Sequence, residues 1–106
     1  MKFKNKVVII TGGGSGIGQA AAELFARQGA GVVVADYDAA KAAQVADGIK
    51  TAGAKALAVE VDVSKAGMVA DMVQKTLDFF GGIDILFNNA GILVAGSVLD
   101  LTEEDW

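Results

Sequence analysis

Five glycines separate an apolar run from an Ala-rich run in the stretch VVIITGGGSGIGQAAAELFA, residues 7–26. The apolar run predicts a buried strand and the Ala-rich run predicts a helix, so the glycines form the turn between them. Because glycine has no Cβ, the backbone of such a turn can approach a phosphate, whose charge the start of the following helix favours. The spacing Gly16-x-Gly18-x-x-Ala21 fits the nucleotide-binding pattern G-x-G-x-x-A. The alternative is a tight turn without a ligand.

An acidic residue, Asp36, ends the next β-branched run, eighteen residues after Gly18. A carboxylate about 20 residues after such glycines can accept hydrogen bonds from the adenine-ribose hydroxyls of NAD. The same carboxylate would repel the 2′-phosphate of NADP, and the neighbouring Tyr37 has no positive charge to compensate. The sequence therefore favours NAD, although an ordinary polar strand end would look the same.

Polar residues also follow the third and fourth predicted strands, at Asp62-Val63 and at the sequence NNAG, residues 88–91. The carboxyl ends of parallel strands share one edge of the sheet, which is where open α/β sheets bind ligands. The Asp62 carboxylate is suited to accept a hydrogen bond from an adenine amino group, but a cap or turn would use it equally well. The Asn amides can donate and accept, and Gly91 permits close approach; the alternative there is an Asx turn.

Short β-branched runs alternate with Ala-rich segments along the whole chain. This βαβαβαβ order predicts an α/β fold, a doubly wound parallel sheet with right-handed crossovers. Asp38, Ser64 and Thr102 are predicted helix N-caps. The predicted strands cover residues 6–11, 31–36, 55–62 and 83–91, with the third near an edge, and the predicted helices cover residues 16–29, 38–53 and 64–82.

The composition narrows the possible functions. A chain of 106 residues that is 53% hydrophobic predicts one ordered domain. The net charge of -4 argues against a nucleic-acid partner. Histidine and cysteine are absent, so we predict no disulfide, no metal site and no residue of the usual acid–base kind. No apolar run approaches the roughly 20 residues needed to cross a bilayer, and the run before Thr11 is too short for a signal peptide. We therefore expect a cytoplasmic protein without a membrane partner.

These stretches together resemble the short-chain dehydrogenase/reductase family of the NAD-dependent type. TGGGSGIG, residues 11–18, is similar to the family's TGxxxGxG loop, and residues 88–91 match its NNAG motif. Asp36 and the pair Asp62-Val63 fall where that family contacts adenosine. The resemblance covers essentially the whole chain and implies a Rossmann-like sheet with strands in the order 3-2-1-4.

The resemblance also implies a set of cofactor-binding residues. The glycine turn would hold the pyrophosphate, with Ser15 bonding a phosphate or ribose oxygen and Ile17 near the nicotinamide. Further residues are implied at three other parts of the cofactor: the adenine ribose, the adenine and the inner ribose. In chain order, the implied residues are Gly12, Ser15, Gly16, Ile17 and Gly18 in the turn, Asp36 and Tyr37 at the adenine ribose, Asp62 and Val63 at the adenine, and Asn89, Ala90 and Gly91 at the inner ribose.

The family's catalytic residues have no counterpart in this sequence. Its chemistry needs a Tyr-x-x-x-Lys pair and a Ser, all beyond the fourth strand. Tyr37 and Lys41 have that spacing, but they lie at the adenosine end, so we interpret the match as a coincidence. We therefore expect residues 1–106 to be the dinucleotide-binding half of a dehydrogenase, truncated before the catalytic segment and inactive alone.

The intact enzyme is expected to transfer hydride between NAD(H) and an alcohol or carbonyl substrate, as a homo-oligomer. Two alternatives remain: a non-catalytic dinucleotide-binding module, and a half-sheet that works only when another chain complements it. Because nothing is predicted to pair with the fourth strand at residues 85–87, we expect an unpaired apolar edge that promotes association.

Overall fold

Strands and helices alternate through the third helix in the described part of the chain, and two strands follow. The structure is a computed structural model and describes residues 2–14, 16–88 and 91–94. The elements are β1 (Val7–Thr11), α1 (Gly16–Arg27), β2 (Gly31–Asp36), α2 (Ala39–Thr51), β3 (Ala56–Glu60), α3 (Ala66–Phe80), β4 (Ile85–Asn88) and β5 (Gly91–Val94).

The strands form one sheet in the order β3-β2-β1-β4-β5. The first four strands are parallel, so the predicted Rossmann-like sheet and its order 3-2-1-4 are confirmed, and β3 lies at an edge. The expectation of an unpaired fourth strand is wrong, because β5 pairs with β4 in antiparallel register, Ile85 opposite Val94 and Asn88 opposite Gly91. The residues Ile92-Leu93-Val94 have the β-branched and aliphatic character that suits a strand. Their pairing covers the edge of β4 on which the predicted association rested.

Both faces of the sheet are covered. Alternate residues of the central strands point to opposite faces, so Val8 and Ile10 belong to the core under α1 and α2. Ile9 and Val33 belong to the core under α3, together with Met72. A strand buried on both faces has no polar side to display, which is why β1 and β2 are continuous apolar runs in the sequence.

Two of the predicted helix caps are described by the structure, and one of them is wrong. Asp38 caps α2, because its Oδ1 accepts a hydrogen bond from the Lys41 N–H at 3.2 Å. Ser64 does not cap α3: the N-cap is Lys65, without a side-chain cap bond. The Ser64 hydroxyl instead donates to Asp62 Oδ1 at 2.6 Å. Thr102 lies outside the described residues.

Candidate functional site

The residues predicted to bind a ligand follow strands that end at the same edge of the sheet. Thr11, the last residue of β1, lies opposite Ala35, and Asp36 lies opposite Glu60. Since β1 sits between β2 and β4, the chain leaves β1 towards one side and returns on the other. This makes the end of β1 a topological switch point, the usual position of a ligand crevice in such folds. We call this edge the carboxyl rim and define it by the last residues of β1, β2, β3 and β4 together with the residues that follow them.

The two ends of the glycine turn between β1 and α1 pack closely against each other. Gly12 and Gly16 have φ angles of 69° and 61°, in the left-handed region that favours glycine. Gly18 is buried, and a Cβ there would collide with the carbonyl oxygen of Gly12. By contrast, Gly16 is exposed and a Cβ there would meet nothing within 4 Å. Gly18 is therefore required by the packing of the turn itself, whereas the space over Gly16 is open.

The Asp36 carboxylate lies against this glycine turn. Its Oδ2 accepts a hydrogen bond from the Gly14 N–H at 2.9 Å, and its Oδ1 accepts one from the Asp38 N–H at 2.9 Å. Asp36 as a whole is half-buried. The structure thus brings together the acid and the glycines, which the sequence predicted only to share an edge.

Asp62 also lies on the carboxyl rim, where it forms a tight local turn. Its Oδ1 accepts hydrogen bonds from the Ser64 N–H at 3.0 Å and from the Ser64 hydroxyl at 2.6 Å. These two hydrogen bonds hold the pKa of the Asp62 carboxyl below its ordinary value. The bond from the Ser64 hydroxyl has the larger effect and the bond from the Ser64 N–H the second largest. The Val61 N–H donates to the Asp36 carbonyl oxygen at 2.9 Å, which joins this turn to the end of β2. The turn interpretation of Asp62 is therefore supported, and an adenine contact stays a prediction.

Apolar side chains are exposed beside these polar groups. Ile17 and Tyr37 are each 77% exposed and Val63 is 63% exposed. These are three of the five large hydrophobic side chains that are exposed in the described part of the chain; the others are Leu24 and Phe79. Apolar surface next to a few convergent polar groups is typical of sites for small organic ligands. Rings of a nucleotide would find such surface at this rim.

Within the ranges that the structure describes, no three acidic side chains converge in a way that could hold a metal ion. None of the helices α1, α2 and α3 is long and apolar enough to cross a membrane.

The structure describes most of the predicted cofactor-binding residues. Those on the carboxyl rim are Gly12, Gly16, Ile17, Gly18, Asp36, Tyr37, Asp62 and Val63. Gly91 begins β5, and Ser15, Asn89 and Ala90 lie outside the described residues.

Two residues outside the predicted set of cofactor-binding residues also lie at the glycine turn. Gly14 is buried, and a Cβ there would lie 2.8 Å from both Asp36 Oδ2 and the Lys41 Cβ. Lys41 therefore packs at the glycine turn beside Asp36, and the Tyr37–Lys41 spacing belongs to the first turn of α2. A sequence signal for Lys41 existed, because the Asp38 cap places it in that first helical turn. No comparable signal existed for the Gly14 hydrogen bond.

A sequence model of the short chain dehydrogenase family matches residues 6–106. The chain is 45% identical over 106 residues to meso-2,3-butanediol dehydrogenase of Serratia marcescens. The aligned region covers 100% of this chain and 41% of that protein. It is 43% identical to the (2S)-[(R)-hydroxy(phenyl)methyl]succinyl-CoA dehydrogenase subunit BbsD of Thauera aromatica, with coverages of 100% and 43%. Cyclohexanol dehydrogenase of Acinetobacter sp. (strain SE19) is 42% identical, with coverages of 99% and 42%. The chain therefore spans about two fifths of the length of these relatives.

Solved structures show the same fold at similar identity. One is a 7α-hydroxysteroid dehydrogenase complexed with NADH and 7-oxo glycochenodeoxycholic acid, at a TM-score of 0.79 and 36% identity over 80% of this chain and 33% of that one. Another is a hydroxysteroid dehydrogenase from Escherichia coli, also at a TM-score of 0.79 and 36% identity, over 80% of this chain and 35% of that one.

Proposed function

This chain belongs to the short-chain dehydrogenase family, and we propose that it forms the part of such an enzyme that binds NAD(H) in preference to NADP(H). The intact protein then transfers hydride between NAD(H) and an alcohol or carbonyl substrate. A cytoplasmic location and assembly as a homo-oligomer belong to the same proposal.

The residues on the carboxyl rim fit a dinucleotide. The turn is built from glycines, and the open space over Gly16 leaves its backbone accessible to a phosphate. In the proposal, Gly12, Gly16 and Gly18 form the pyrophosphate cradle, and the exposed side chains of Ile17 and Val63 lie against the nicotinamide and adenine rings. Ser15, Asn89, Ala90 and Gly91 complete the site. When bound, the nicotinamide supplies the hydride acceptor or donor, and this chain binds and orients it.

The observation that carries the proposal is the position of the Asp36 carboxylate at the glycine turn, tied to it by the Gly14 N–H at 2.9 Å. A carboxylate at this distance from the phosphate-binding turn can accept hydrogen bonds from the ribose hydroxyls of NAD. It would repel a 2′-phosphate, which carries up to two negative charges at neutral pH. Lys41 lies beside Asp36 at Gly14 and offsets part of that repulsion, so we expect a preference rather than an exclusion.

The substrate class is supported by the names of the relatives. Butanediol, cyclohexanol and hydroxysteroid dehydrogenases are each named for a substrate with a hydroxyl on a secondary carbon. The neighbour with NADH bound contains a nicotinamide cofactor in the same fold. We therefore propose a secondary alcohol or its ketone as the substrate of the intact enzyme.

The test is a pair of fluorescence titrations of the chain with NADH and NADPH. We expect NADH to bind about ten- to a hundredfold more tightly than NADPH, and Asp36→Ala to narrow that ratio. Asp47→Ala is the matched control, since it removes one negative charge from the exposed face of α2 and should leave the ratio unchanged. Equal affinities for NADH and NADPH in the unmodified chain would contradict the proposed preference.

A further inference from the structure

A single carboxylate joins the glycine turn to the stretch between β2 and α2. Asp36 ends β2, its Oδ2 accepts from the Gly14 N–H in the glycine turn, and its Oδ1 accepts from the Asp38 N–H at the start of α2. The two bonds are each 2.9 Å long, a normal length for a backbone N–H on a carboxylate oxygen. The orientation of the carboxylate is therefore set by the protein before any ligand arrives.

The bond to Gly14 bridges 22 residues of sequence. Gly14 is buried, so its N–H cannot simply turn to water if the carboxylate is removed, and an unpaired buried N–H is costly. The turn receives a second tie from β2, because the Gly13 N–H donates to the Ala35 carbonyl oxygen at 3.0 Å. That second tie is a bond between backbone groups and survives any substitution of Asp36.

We propose that Asp36 is a positioning residue for the glycine turn, so that the conformation that binds phosphate depends on the same carboxylate that recognises the adenine ribose. The proposal rests on the proposed function, since it assigns the phosphate group to this turn. Each carboxylate oxygen has two lone pairs, of which one is used by a backbone N–H. The two that remain can accept from the two ribose hydroxyls without breaking either bond to the backbone. Loss of Asp36 therefore weakens binding at both the ribose and the phosphate.

A ligand without adenosine separates the two roles. Reduced nicotinamide mononucleotide (NMNH) carries one phosphate and the nicotinamide ribose, and it has no adenine ribose for Asp36 to contact. If Asp36 acts on the ribose alone, its substitution weakens NADH binding and leaves NMNH binding unchanged. If it also positions the turn, NMNH binding falls as well.

The experiment compares the unmodified chain with Asp36→Ala, Asp36→Asn and Asp38→Ala. Backbone hydrogen exchange, followed by NMR without ligand, reports on the Gly14 N–H, and fluorescence titration gives the affinity for NMNH. We expect Asp36→Ala to speed Gly14 exchange and to weaken NMNH binding, each about tenfold, the effect of losing one charge-assisted hydrogen bond. Asp36→Asn keeps an oxygen that can accept from Gly14, so this variant should retain most of the Gly14 protection and most of the NMNH affinity. Asp38→Ala removes the α2 cap and leaves the Gly14 bond intact, so neither quantity should change.

The positioning role is overturned if Asp36→Ala weakens NADH binding while Gly14 exchange and NMNH affinity match those of the unmodified chain. The proposed function stands in that case. An unmodified chain that binds no NADH overturns the proposed function, and Gly14 exchange in the variants still decides whether Asp36 holds the turn. If Asp36→Ala does not fold, the unmodified chain carries the test: a Gly14 N–H that exchanges there as fast as in an unstructured peptide is not held by Asp36 and would contradict the proposal.

Discussion

Gly18 lies against the carbonyl group of Gly12, so closely that any Cβ at position 18 would overlap the carbonyl oxygen. The first turn of α1 therefore packs directly on the residue that follows β1. This contact sets how near the start of α1 comes to the sheet and, with it, the shape of the turn that we assign to phosphate. Glycine at position 18 has a reason within the protein that is independent of any ligand.

Gly18→Ala is expected to lower the free energy of unfolding by about 2–3 kcal/mol, because backbone cannot move aside as a flexible side chain can. Chemical denaturation monitored by circular dichroism measures this. Gly48→Ala is the matched control: Gly48 lies within α2, and a Cβ there would meet nothing within 4 Å. That variant should gain about 0.5–1 kcal/mol from better helix propensity. Equal effects of the two substitutions would argue against the Gly18–Gly12 contact.

Gly31→Ala should destabilise the opposite edge of the sheet. A Cβ on Gly31 would collide with the Phe80 ring at the end of α3, where Cδ1 and Cζ lie 2.9 and 3.0 Å away. We expect a loss of about 1–3 kcal/mol from overpacking. In a double-mutant cycle with Phe80→Leu, the smaller side chain should make Gly31→Ala much less harmful. Additive losses in the double mutant would show that Phe80 is not what excludes the Cβ.

Removing the Ser64 hydroxyl should raise the pKa of Asp62. The hydroxyl is the main cause that holds this pKa below the ordinary value, so Ser64→Ala should move it up towards that ordinary value, as followed by NMR titration of the carboxyl group. Since the pKa is lower in the folded chain than in the unfolded one, the bond stabilises the fold above about pH 4, and this contribution is lost as the pH falls through the folded-state pKa. Ser64→Thr retains a hydroxyl and should keep the low pKa. An unchanged pKa in Ser64→Ala would assign the shift to the backbone N–H alone.

The 106 residues alone are expected to turn over no alcohol or ketone with NAD(H). Histidine and cysteine are absent from the sequence, and its single tyrosine, Tyr37, lies at the end of β2 on the adenosine side of the proposed site. Without general acid–base catalysis, typically worth about 10²–10⁴-fold, bound cofactor should remain unreacted. The measurement is NADH absorbance with a panel of secondary alcohols and ketones. Turnover that Tyr37→Phe abolishes would show that the Tyr37–Lys41 pair is catalytic.

The strands and their arrangement could be predicted from the sequence because both the burial of a parallel strand and the order of the elements are visible in it. The continuous runs in β1 and β2 reflect burial on both faces, and the alternation with helical segments leaves few topologies. The edge shared by the glycine turn and Asp36 follows from that topology without any knowledge of side-chain positions. The Asp38 cap was also predictable, since capping depends on residues three apart in the chain.

The tertiary structure alone decided what these residues contact. The bond between Gly14 and Asp36 spans 22 residues, and no local pattern encodes which glycine of the turn donates it. Ser64 was predicted to cap α3, but its hydroxyl bonds to Asp62 two residues earlier, because caps and local turns favour the same residue types. The pairing of β5 with β4 likewise depends on an edge that only the assembled sheet presents. Sequence by itself determined the fold class and the rim, because both follow from periodicity and chain order, whereas the geometry of the site depends on distances between segments that meet only after folding.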